Sequence, residues 1–273
     1  MPVAIKSSGG GSVTIAAGST ASDFTATLQS ATGTIPVATP GTSGNLLTSD
    51  GTNWTSAAAP APAAPDIQTF NTSGTWTKPV GYVATARVYV QVWGGGASGS
   101  RNSVTAENAS GGGGGSYSSA WVALSSLGAT ETVTIGAGGA SRTGSNQAGA
   151  TGGDSSVGTF LAAGGGSAPS TASSNATTVT TAITGYTYNS EIAGGQGSGG
   201  SPQGTYYSGA GGAGVNDANV VGSAKTSRFG GAGGNGSLTT ATAGTAPGGG
   251  GGGARSTSGA GAAGRVVISV YSS

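Results

Sequence analysis

Two segments of the chain alternate between small apolar side chains and larger or polar ones. From Val88 to Trp93 every second residue is valine, and residues 265–271 show a similar alternation. A period of two predicts a β-strand with one buried face, here within residues 82–93 and 265–271. The expected inward-facing sets are Val88, Val90 and Val92, and Val266, Ile268 and Val270. Because strand 265–271 is so well patterned, we expect it to dock into the sheet.

Further apolar segments predict shorter strands. In the second half of the chain these are residues 117–124, 131–135 and 157–162. Near the N-terminus they are residues 13–15, 24–28 and 33–37. The N-terminal strands are too short to fold alone, and a symmetric interface lets short strands from several chains complete one core. We therefore expect a homotrimer.

Composition divides the chain into three parts. Residues 1–56 hold the short β segments, and residues 57–65 read AAAPAPAAP. Proline fixes its own backbone and biases the preceding residue away from helix, so 57–65 is predicted to be an extended linker. Residues 66–273 contain the patterned strands and most of the glycine. We expect 1–56 to be an oligomerisation region and 66–273 a glycine-rich β domain with exposed loops.

Glycine accounts for 58 of the 273 residues, about three times its usual share. Much of it lies in clusters between Gly164 and Gly264. Polyglycine adopts an extended threefold helix, and without side chains such helices can pack through direct backbone hydrogen bonds. We expect each cluster to be a rod of this kind. The segments predicted to be loops joining rods are residues 167–191, 201–208, 215–229 and 237–247.

The packed arrangement makes Gly250 sensitive to substitution. This residue lies in the middle of a glycine cluster, where valine is expected to force neighbouring rods apart. The alternative interpretation of the clusters is a flexible glycine linker. The sequence favours packing, because the strand after the last cluster has to return to the sheet. The predicted fold class is all-β: short N-terminal β segments, then a β-sandwich-like glycine-rich domain with polyglycine II-type packed segments.

The residues available for catalysis are few. The chain has no cysteine and no histidine, which removes thiol nucleophiles, histidine-based triads and the usual zinc or iron sites. Its eight carboxylates form no local pair, although two from distant loops would suffice for a glycosidase. Residues 94–99 satisfy the spacing G-x-G-x-x-G, but no helix pattern follows to hold a pyrophosphate. We expect no enzyme activity, cofactor or metal.

The charge pattern bears on possible partners. The nine lysine and arginine residues are scattered singly and the net charge is +1, so no basic stripe exists for nucleic acid. No apolar run approaches the length of a membrane span, and residues 1–11 lack the apolar stretch of a signal peptide. We expect synthesis in the cytoplasm, without binding to nucleic acid or insertion into a membrane.

Several motifs, in their order along the chain, resemble the glycine-rich domain of bacteriophage tail fibre and adhesin proteins. The similar segments are residues 69–79 (TFNTSGTWTKP), 90–96 (VQVWGGG), 132–139 (TVTIGAGG), 154–158 (DSSVG) and 264–268 (GRVVI). They span residues 66–273. The N-terminal residues 1–12 and 47–54 are similar to the start of many phage virion proteins.

This resemblance implies a virion fibre protein, made in the host cytoplasm, with a glycine-rich tip whose loops recognise a bacterial surface receptor. The receptor would be a surface glycan or an outer-membrane protein, and residues before 65 would attach the protein to other virion proteins. The alternative is a head fibre or capsid decoration protein without specific receptor recognition.

The candidate receptor-binding residues lie in the segments between glycine clusters. Exposed tyrosine offers a flat apolar face and a hydroxyl at low entropic cost, which suits a sugar-binding surface. The alternative for the same tyrosines is packing in a half-buried strand. The candidates are Tyr186, Tyr188, Tyr206, Tyr207, Asn216, Asp217, Lys225 and Arg228.

Overall fold

A computed structural model of the protein describes residues 3–6, 12–15, 45–49, 54–58, 64–105, 107–170, 191–192, 194–199 and 201–272. These residues form strands and extended segments, and the one helix among them is a 3-10 turn at Leu124–Ser126. The chain divides into two compact units, Met1–Ala61 and Pro62–Ser273. The described fold is therefore all-β, as the sequence predicted.

The described residues of the first unit form two antiparallel strand pairs. Strand β1 (Val3–Lys6) pairs with β2 (Ser12–Ile15), and β3 (Asn45–Ser49) pairs with β4 (Trp54–Ala58). The predicted strand 13–15 lies within β2. The predicted strands 24–28 and 33–37 lie outside the described residues.

In the second unit the described strands form two antiparallel sheets. The order of strands is β12-β8-β7-β13-β5 in the five-stranded sheet and β11-β10-β9-β6 in the four-stranded sheet. The strands are β5 (Asp66–Phe70), β6 (Gly74–Thr77), β7 (Arg87–Trp93), β8 (Tyr117–Ala123), β9 (Thr130–Thr134), β10 (Ser155–Val157), β11 (Leu161–Ala163), β12 (Glu191–Ile192) and β13 (Arg265–Tyr271). The C-terminal strand β13 lies between β7 and β5, which confirms that it returns to the sheet.

Side chains from the facing surfaces of the two sheets form an apolar core. Val90 of β7 lies opposite Ile268 of β13, and both are buried. The predicted inward-facing sets on β7 and β13 are all buried, which confirms the alternation. The four-stranded sheet contributes Trp76, Val133, Val157 and Leu161 to the same core. The unit is thus a β-sandwich at this end.

Two strand predictions were wrong in their bounds. Strand β7 begins at Arg87 instead of residue 82, because the preceding residues form a turn in which Ala86 N donates to Val83 O at 3.0 Å. The segment predicted as one strand at 157–162 is a hairpin of β10 and β11. Gly158, at φ +48°, adopts the left-handed conformation that reverses the chain there.

Beyond the sheets the chain forms rods, extended segments joined by backbone hydrogen bonds. The rod 248–255 shows the pattern most fully, because residues three apart bond to the same neighbour. The amides of residues 249–254 donate to three rods: Gly249 and Gly252 to 240–245, Gly250 and Gly253 to 208–215, and Gly251 and Ala254 to 94–102. The carbonyls of residues 248–253 accept from three others, 109–116, 230–237 and 257–264. This threefold pattern is polyglycine II packing, as predicted.

The rods continue the two sheets as layers. Rods 194–199, 109–116, 94–102 and 257–264 follow the order β12-β8-β7-β13 and extend the five-stranded sheet. Rods 163–170, 147–154 and 136–142 extend the four-stranded sheet in the same way. Further rods stack on the five-stranded layer and are not continuous with a strand. The first layer of these is 203–205, 208–215, 248–255 and 240–245, and the next is 222–226 and 230–237.

The rod lattice is larger than the sequence predicted. It includes rods before Gly164, and it includes parts of all four segments that were predicted to be loops, namely 167–170, 203–205, 222–226 and 240–245. For these parts the loop prediction was wrong. Ala241 N donates to Thr257 O and Thr245 N to Ala232 O, both at 2.9 Å. Residues other than glycine are tolerated here because this rod lies at the edge of the lattice. Gly244 faces the backbone of Gly249 and the small side chain of Ala241 is buried, while Thr242 and Thr245 are exposed.

Candidate functional site

The rods run alternately away from the sheets and back, so their turns gather at two places. We call the turns farthest from the sheets the distal loops; they comprise the described residues within 103–107, 143–146, 216–221 and 237–240. Hydrogen bonds at this end join Ala109 to Val215 and Ser237 to Gly253. The other turns, at 206–208 and 227–230, lie beside the five-stranded sheet, where Trp93 Nε1 donates to Tyr207 O at 2.7 Å.

Arg255 joins two of the distal loops. It is the last residue of rod 248–255, and it is 7% exposed. Its guanidinium donates to the carbonyl oxygens of Val104 (2.7 Å), Glu107 (2.6 Å), Asn102 (3.2 Å), Thr105 (3.4 Å) and Asn216 (2.8 Å), and to Asn219 Oδ1 (3.1 Å). Arginine presents five N–H donors in a rigid fork, so one side chain can satisfy several loop carbonyls. The loops 103–107 and 216–219 are therefore fixed by one residue.

Burial lowers the pKa of the Arg255 guanidinium, while the nearby Glu107 carboxylate acts in the opposite direction. The Glu107 side chain also accepts a 2.8 Å hydrogen bond from Asn102 Nδ2. Arg255 was not among the predicted site residues. The available signal was its position two residues after the end of the longest glycine run, where a cation is otherwise unexpected.

The distal loops expose apolar side chains. Val220 is 59% exposed, and Val104, Val221 and Leu238 are exposed as well. Asn216 turns the chain there, since its Oδ1 accepts the Val220 amide at 2.8 Å. Asp217 is exposed within the same turn. This end of the lattice therefore offers a mixed surface of apolar and polar side chains on fixed backbone.

A row of aromatic rings covers the outer face of the five-stranded sheet. Trp121 stacks on Tyr89 with centroids 4.7 Å apart and contacts Tyr271 at 5.5 Å. The Tyr89 hydroxyl lies 3.2 Å from the hydroxyl of Tyr117, whose ring contacts Trp93 at 4.9 Å. These residues occupy the outward positions of β7, β8 and β13, the positions that alternate with the buried core.

The row continues onto the turns beside the sheet. Tyr207 stacks on Tyr117 at 5.4 Å, and Phe229 stacks on Tyr207 at 5.4 Å. Tyr206 meets both Tyr207 and Phe229 edge-on. Tyr206 and Phe229 are each 51% exposed, and Trp121 at the opposite end is 50% exposed. We call this set the aromatic row: Tyr271, Trp121, Tyr89, Tyr117, Trp93, Tyr207, Tyr206 and Phe229.

Polar groups lie along the row. Gln91 Nε2 donates to Tyr117 Oη at 2.9 Å. Burial is the main cause that raises the pKa of Tyr117, and the neighbouring Tyr89 raises it further; hydrogen bonds with Ser119 and Gln91 oppose the shift. Tyr117 is therefore a neutral hydroxyl at physiological pH.

The charged side chains at the row are arginines. The Arg228 guanidinium lies over the rings of Tyr206 and Phe229, at 5.5 Å and 5.9 Å from their centroids. Arg87 is exposed and pairs directly across the sheet with Tyr271. Arg265, opposite Trp93, donates to Asn71 Oδ1 at 2.9 Å. Each end of the row thus carries a cation.

The structure brings together some of the predicted site residues and separates others. Tyr206, Tyr207 and Arg228 meet in the aromatic row. Asn216 and Asp217 lie in the distal loops. Lys225 is exposed on the rod 222–226, and its carbonyl accepts the Gly233 amide at 3.0 Å. Tyr186 and Tyr188 lie outside the described residues.

The sheet half of the aromatic row was not predicted as a site. Tyr89, Trp93 and Trp121 alternate with small or buried residues, and the sequence analysis used that alternation only to find the core. An exposed antiparallel sheet face is ordinarily polar. Large aromatic residues at several outward positions were therefore the available signal.

Carboxylates in the described part of the domain support local backbone structure. Glu131 Oε1 accepts the Gly128 amide at 2.7 Å, and Asp154 Oδ1 accepts the Gly165 amide at 2.8 Å. Among the described residues, no group of three or more His, Cys, Asp or Glu side chains is arranged to hold a metal ion. The same residues include no helix with the length and apolar character to span a membrane.

Comparison with known proteins identifies a family for most of the chain. A search of curated proteins finds no match. The model of the glycine-rich domain family matches residues 65–271, a range that includes both sheets of the sandwich and the rod lattice. The chain therefore belongs to the glycine-rich domain family.

Proposed function

We propose that this protein is a bacteriophage virion fibre protein, a tail fibre or tail-tip adhesin that presents loops to a bacterial surface receptor. The observation that supports this most directly is the rod lattice with its gathered distal loops. Backbone hydrogen bonds stabilise each rod without help from loop side chains. The loops can therefore change in sequence to suit a receptor while the scaffold stays the same.

The distal loops have the physical character of a recognition surface. Arg255 holds loops 103–107 and 216–219 in place, so little conformational entropy is lost when they bind. Val220 and Leu238 are exposed beside these fixed backbones. Exposed apolar side chains rimmed by polar residues are typical of interaction sites.

Assignment to a virion rests on the sequence motifs described above. In this proposal the chain is made in the host cytoplasm, and residues before 65 attach it to other virion proteins as a homotrimer. Light scattering of the intact chain is expected to give the trimer mass. A monomer mass at micromolar concentration would contradict the trimer.

The adhesin function is tested by competition for adsorption. The intact protein, added in excess, is expected to block adsorption of the parent phage to its host bacterium. Val220→Asp is expected to abolish this protection, because it places a charge on the distal loops. Val80→Asp is the matched control, since Val80 is 94% exposed on a loop of the sandwich. Equal protection by both variants would exclude the distal loops, and no protection by the intact protein would overturn the adhesin.

The position in the particle separates the adhesin from a head fibre or capsid decoration protein. Antibody labelling of intact phage is expected to mark the ends of tail fibres. Label on the capsid faces would instead support the decoration protein.

A further inference from the structure

We infer that the aromatic row is a binding site for an acidic saccharide, a chain of sugar rings that bears carboxylate or phosphate groups. This inference rests on the proposed function, because a bacterial surface is what would supply the saccharide. The site is separate from the distal loops: it lies on the outer face of the five-stranded sheet and the turns at 206–208 and 227–230.

The ring geometry suits sugars. The face of an aromatic ring carries negative charge in its quadrupole, so the weakly positive C–H groups of a sugar ring stack favourably on it. Successive rings lie 4.7–5.5 Å apart from Tyr271 to Trp121 and Tyr89, and from Tyr117 to Tyr207 and Phe229. Such a row is longer than one sugar ring, which favours an oligosaccharide.

The exposure of the row indicates a ligand. Trp121 at one end and Phe229 at the other are about half exposed. Tyr117 and Trp93 between these ends are buried, so the exposed aromatic surface forms two patches, one at Trp121 and one at Tyr206, Tyr207 and Phe229. Exposed aromatic patches are costly to leave in water, and on soluble proteins they commonly mark an interaction site. The rings are already held by one another, because Tyr207 stacks on both Tyr117 and Phe229. Binding would therefore order few side chains.

Polar groups at the row match sugar hydroxyls. The Tyr89 and Tyr117 hydroxyls lie 3.2 Å apart, and Gln91 donates to Tyr117. Tyr117 is buried, whereas Tyr89 and Gln91 are partly exposed and can make further hydrogen bonds, since a hydroxyl is both donor and acceptor and an amide carries both. An apolar partner would leave this polar centre unmatched.

The charges favour an acidic ligand over a neutral one. Among the described outward-facing side chains of the five-stranded sheet, the charged residues are Arg87 and Arg265, and Arg228 stands over the turn. Arginine recognises carboxylate and phosphate through two parallel N–H donors. Because Arg87 and Arg228 lie at opposite ends, a saccharide with repeated acidic groups would meet a cation at each end.

The inference is tested with the full chain on an array of bacterial surface saccharides, some acidic and some neutral. Binding to acidic saccharides is expected, with quenching of tryptophan fluorescence on titration. Trp121→Ala is expected to weaken binding about tenfold or more. Arg228→Gln is expected to weaken binding to the acidic saccharide about tenfold and to leave weak binding to its neutral counterpart unchanged.

The matched control is Lys225→Gln, which removes an exposed cation three residues from Arg228 and should not alter binding. Equal effects of Lys225→Gln and Arg228→Gln would overturn the inference, as would unchanged binding by Trp121→Ala. Binding only to single-stranded nucleic acid would overturn it too. If the array shows no binding while the protein still blocks adsorption, this inference fails and the proposed function stands. If the protein binds saccharide but does not affect adsorption, this inference stands and the proposed function fails.

Discussion

The sandwich and the rod lattice are built from the same stretches of chain, yet their interiors are opposite in kind. Strand β7 and rod 94–102 are continuous, and so are rod 257–264 and β13. Between the sheets, the interior consists of side chains such as Val90, Ile268 and Trp76. Between the rods, the interior consists mainly of backbone amides and carbonyls, with small buried side chains such as Ala210 and Ser98.

The two interiors impose different rules on sequence. In a strand, alternate side chains are buried, so the pattern repeats every two residues. In a rod, every third amide bonds to the same neighbour, so the pattern repeats every three residues. The change occurs at Trp93 and Gly94 on the way out and at Gly264 and Arg265 on the way back. A core of side chains tolerates small losses of volume, whereas the rod lattice has no room for a side chain at an inward-facing glycine such as Gly250.

The sharpest test of this difference is to add one methyl group to the lattice. Gly250→Ala is expected to lower the free energy of unfolding by at least about 3 kcal/mol. An alanine Cβ at this position would lie well within 3.0 Å of Gly112 O. The rods would have to separate, and buried amides on both sides would lose partners. Chemical denaturation of the intact protein and the variant measures the change.

Two substitutions serve as controls for that loss. Gly74→Ala adds the same methyl group to β6, where the nearest atom to the new Cβ is Phe70 Cδ1 at 3.9 Å, and should change stability little. Thr239→Val, on an exposed turn between rods, should also be nearly neutral. If Gly250→Ala unfolded at the same denaturant concentration as either control, the lattice would not be a packed core.

The lattice could be predicted in kind but not in extent. Clusters such as Gly248–Gly253 contain almost nothing but glycine, and close backbone packing is the main structural use of such a run. Rod 240–245 contains one glycine, Gly244, and was predicted to be a loop. Its place at the lattice edge, where other side chains meet solvent, depends on the arrangement of distant rods. Local sequence does not encode that arrangement.

A substitution at Arg255 tests whether this side chain fixes the distal loops that it contacts. Arg255→Lys is expected to lower the free energy of unfolding by about 2 kcal/mol, since a lysine ammonium has three donors and cannot reproduce the arginine fork. Carbonyls such as Val104 O and Asn216 O would lose their buried partner. Hydrogen exchange should accelerate in residues 103–107 and 216–219 but not in rod 248–255. Unchanged exchange in those loops would show that they are fixed by other contacts.

A substitution in the side-chain core of the sandwich can be compared with Gly250→Ala in the rod lattice. Ile268→Val removes one methylene group from the side-chain core, where Ile268 is 1% exposed, and should cost about 1 kcal/mol. Adding one carbon to the lattice is thus expected to be more damaging than removing one from the sandwich. A larger loss for Ile268→Val than for Gly250→Ala would reverse the comparison.

The candidate site was predicted only where side chains lie between glycine clusters. Tyr206, Tyr207 and Arg228 are near one another in the fold, although about twenty residues separate the tyrosines from Arg228 along the chain. Their ring contacts with Tyr117 join them to the sheet. That junction arises because the outer rods have no strand beneath them and end against the sheet face. The alternating pattern of the strand places Tyr89 and Trp93 on the outward face, but it does not indicate which residues they contact.

The smallest expected effect concerns Tyr117, where the sandwich face and the turns beside the sheet meet. Burial raises the pKa of Tyr117 above its ordinary value of 10.0. In the unfolded chain this tyrosine loses its proton near pH 10, before the folded protein does. The stabilising contribution of the neutral phenol is therefore complete below pH 10 and is lost as the pH rises through the raised pKa. Tyr117→Phe should make the fall in denaturation midpoint above pH 10 shallower.

At neutral pH the same variant should lose about 1 kcal/mol or less, because Gln91 Nε2 loses the hydroxyl to which it donates. Trp121→Ala is the control: it disturbs the aromatic row without removing a phenol, so it should lower the midpoint by similar amounts at pH 8 and above pH 10. Denaturant midpoints measured across this range compare the two variants. If Tyr117→Phe retained the steep fall of the intact protein, burial of this phenol would not govern the alkaline limit. The contact between the sheet face and the turns would then contribute less to stability than the ring stacking implies.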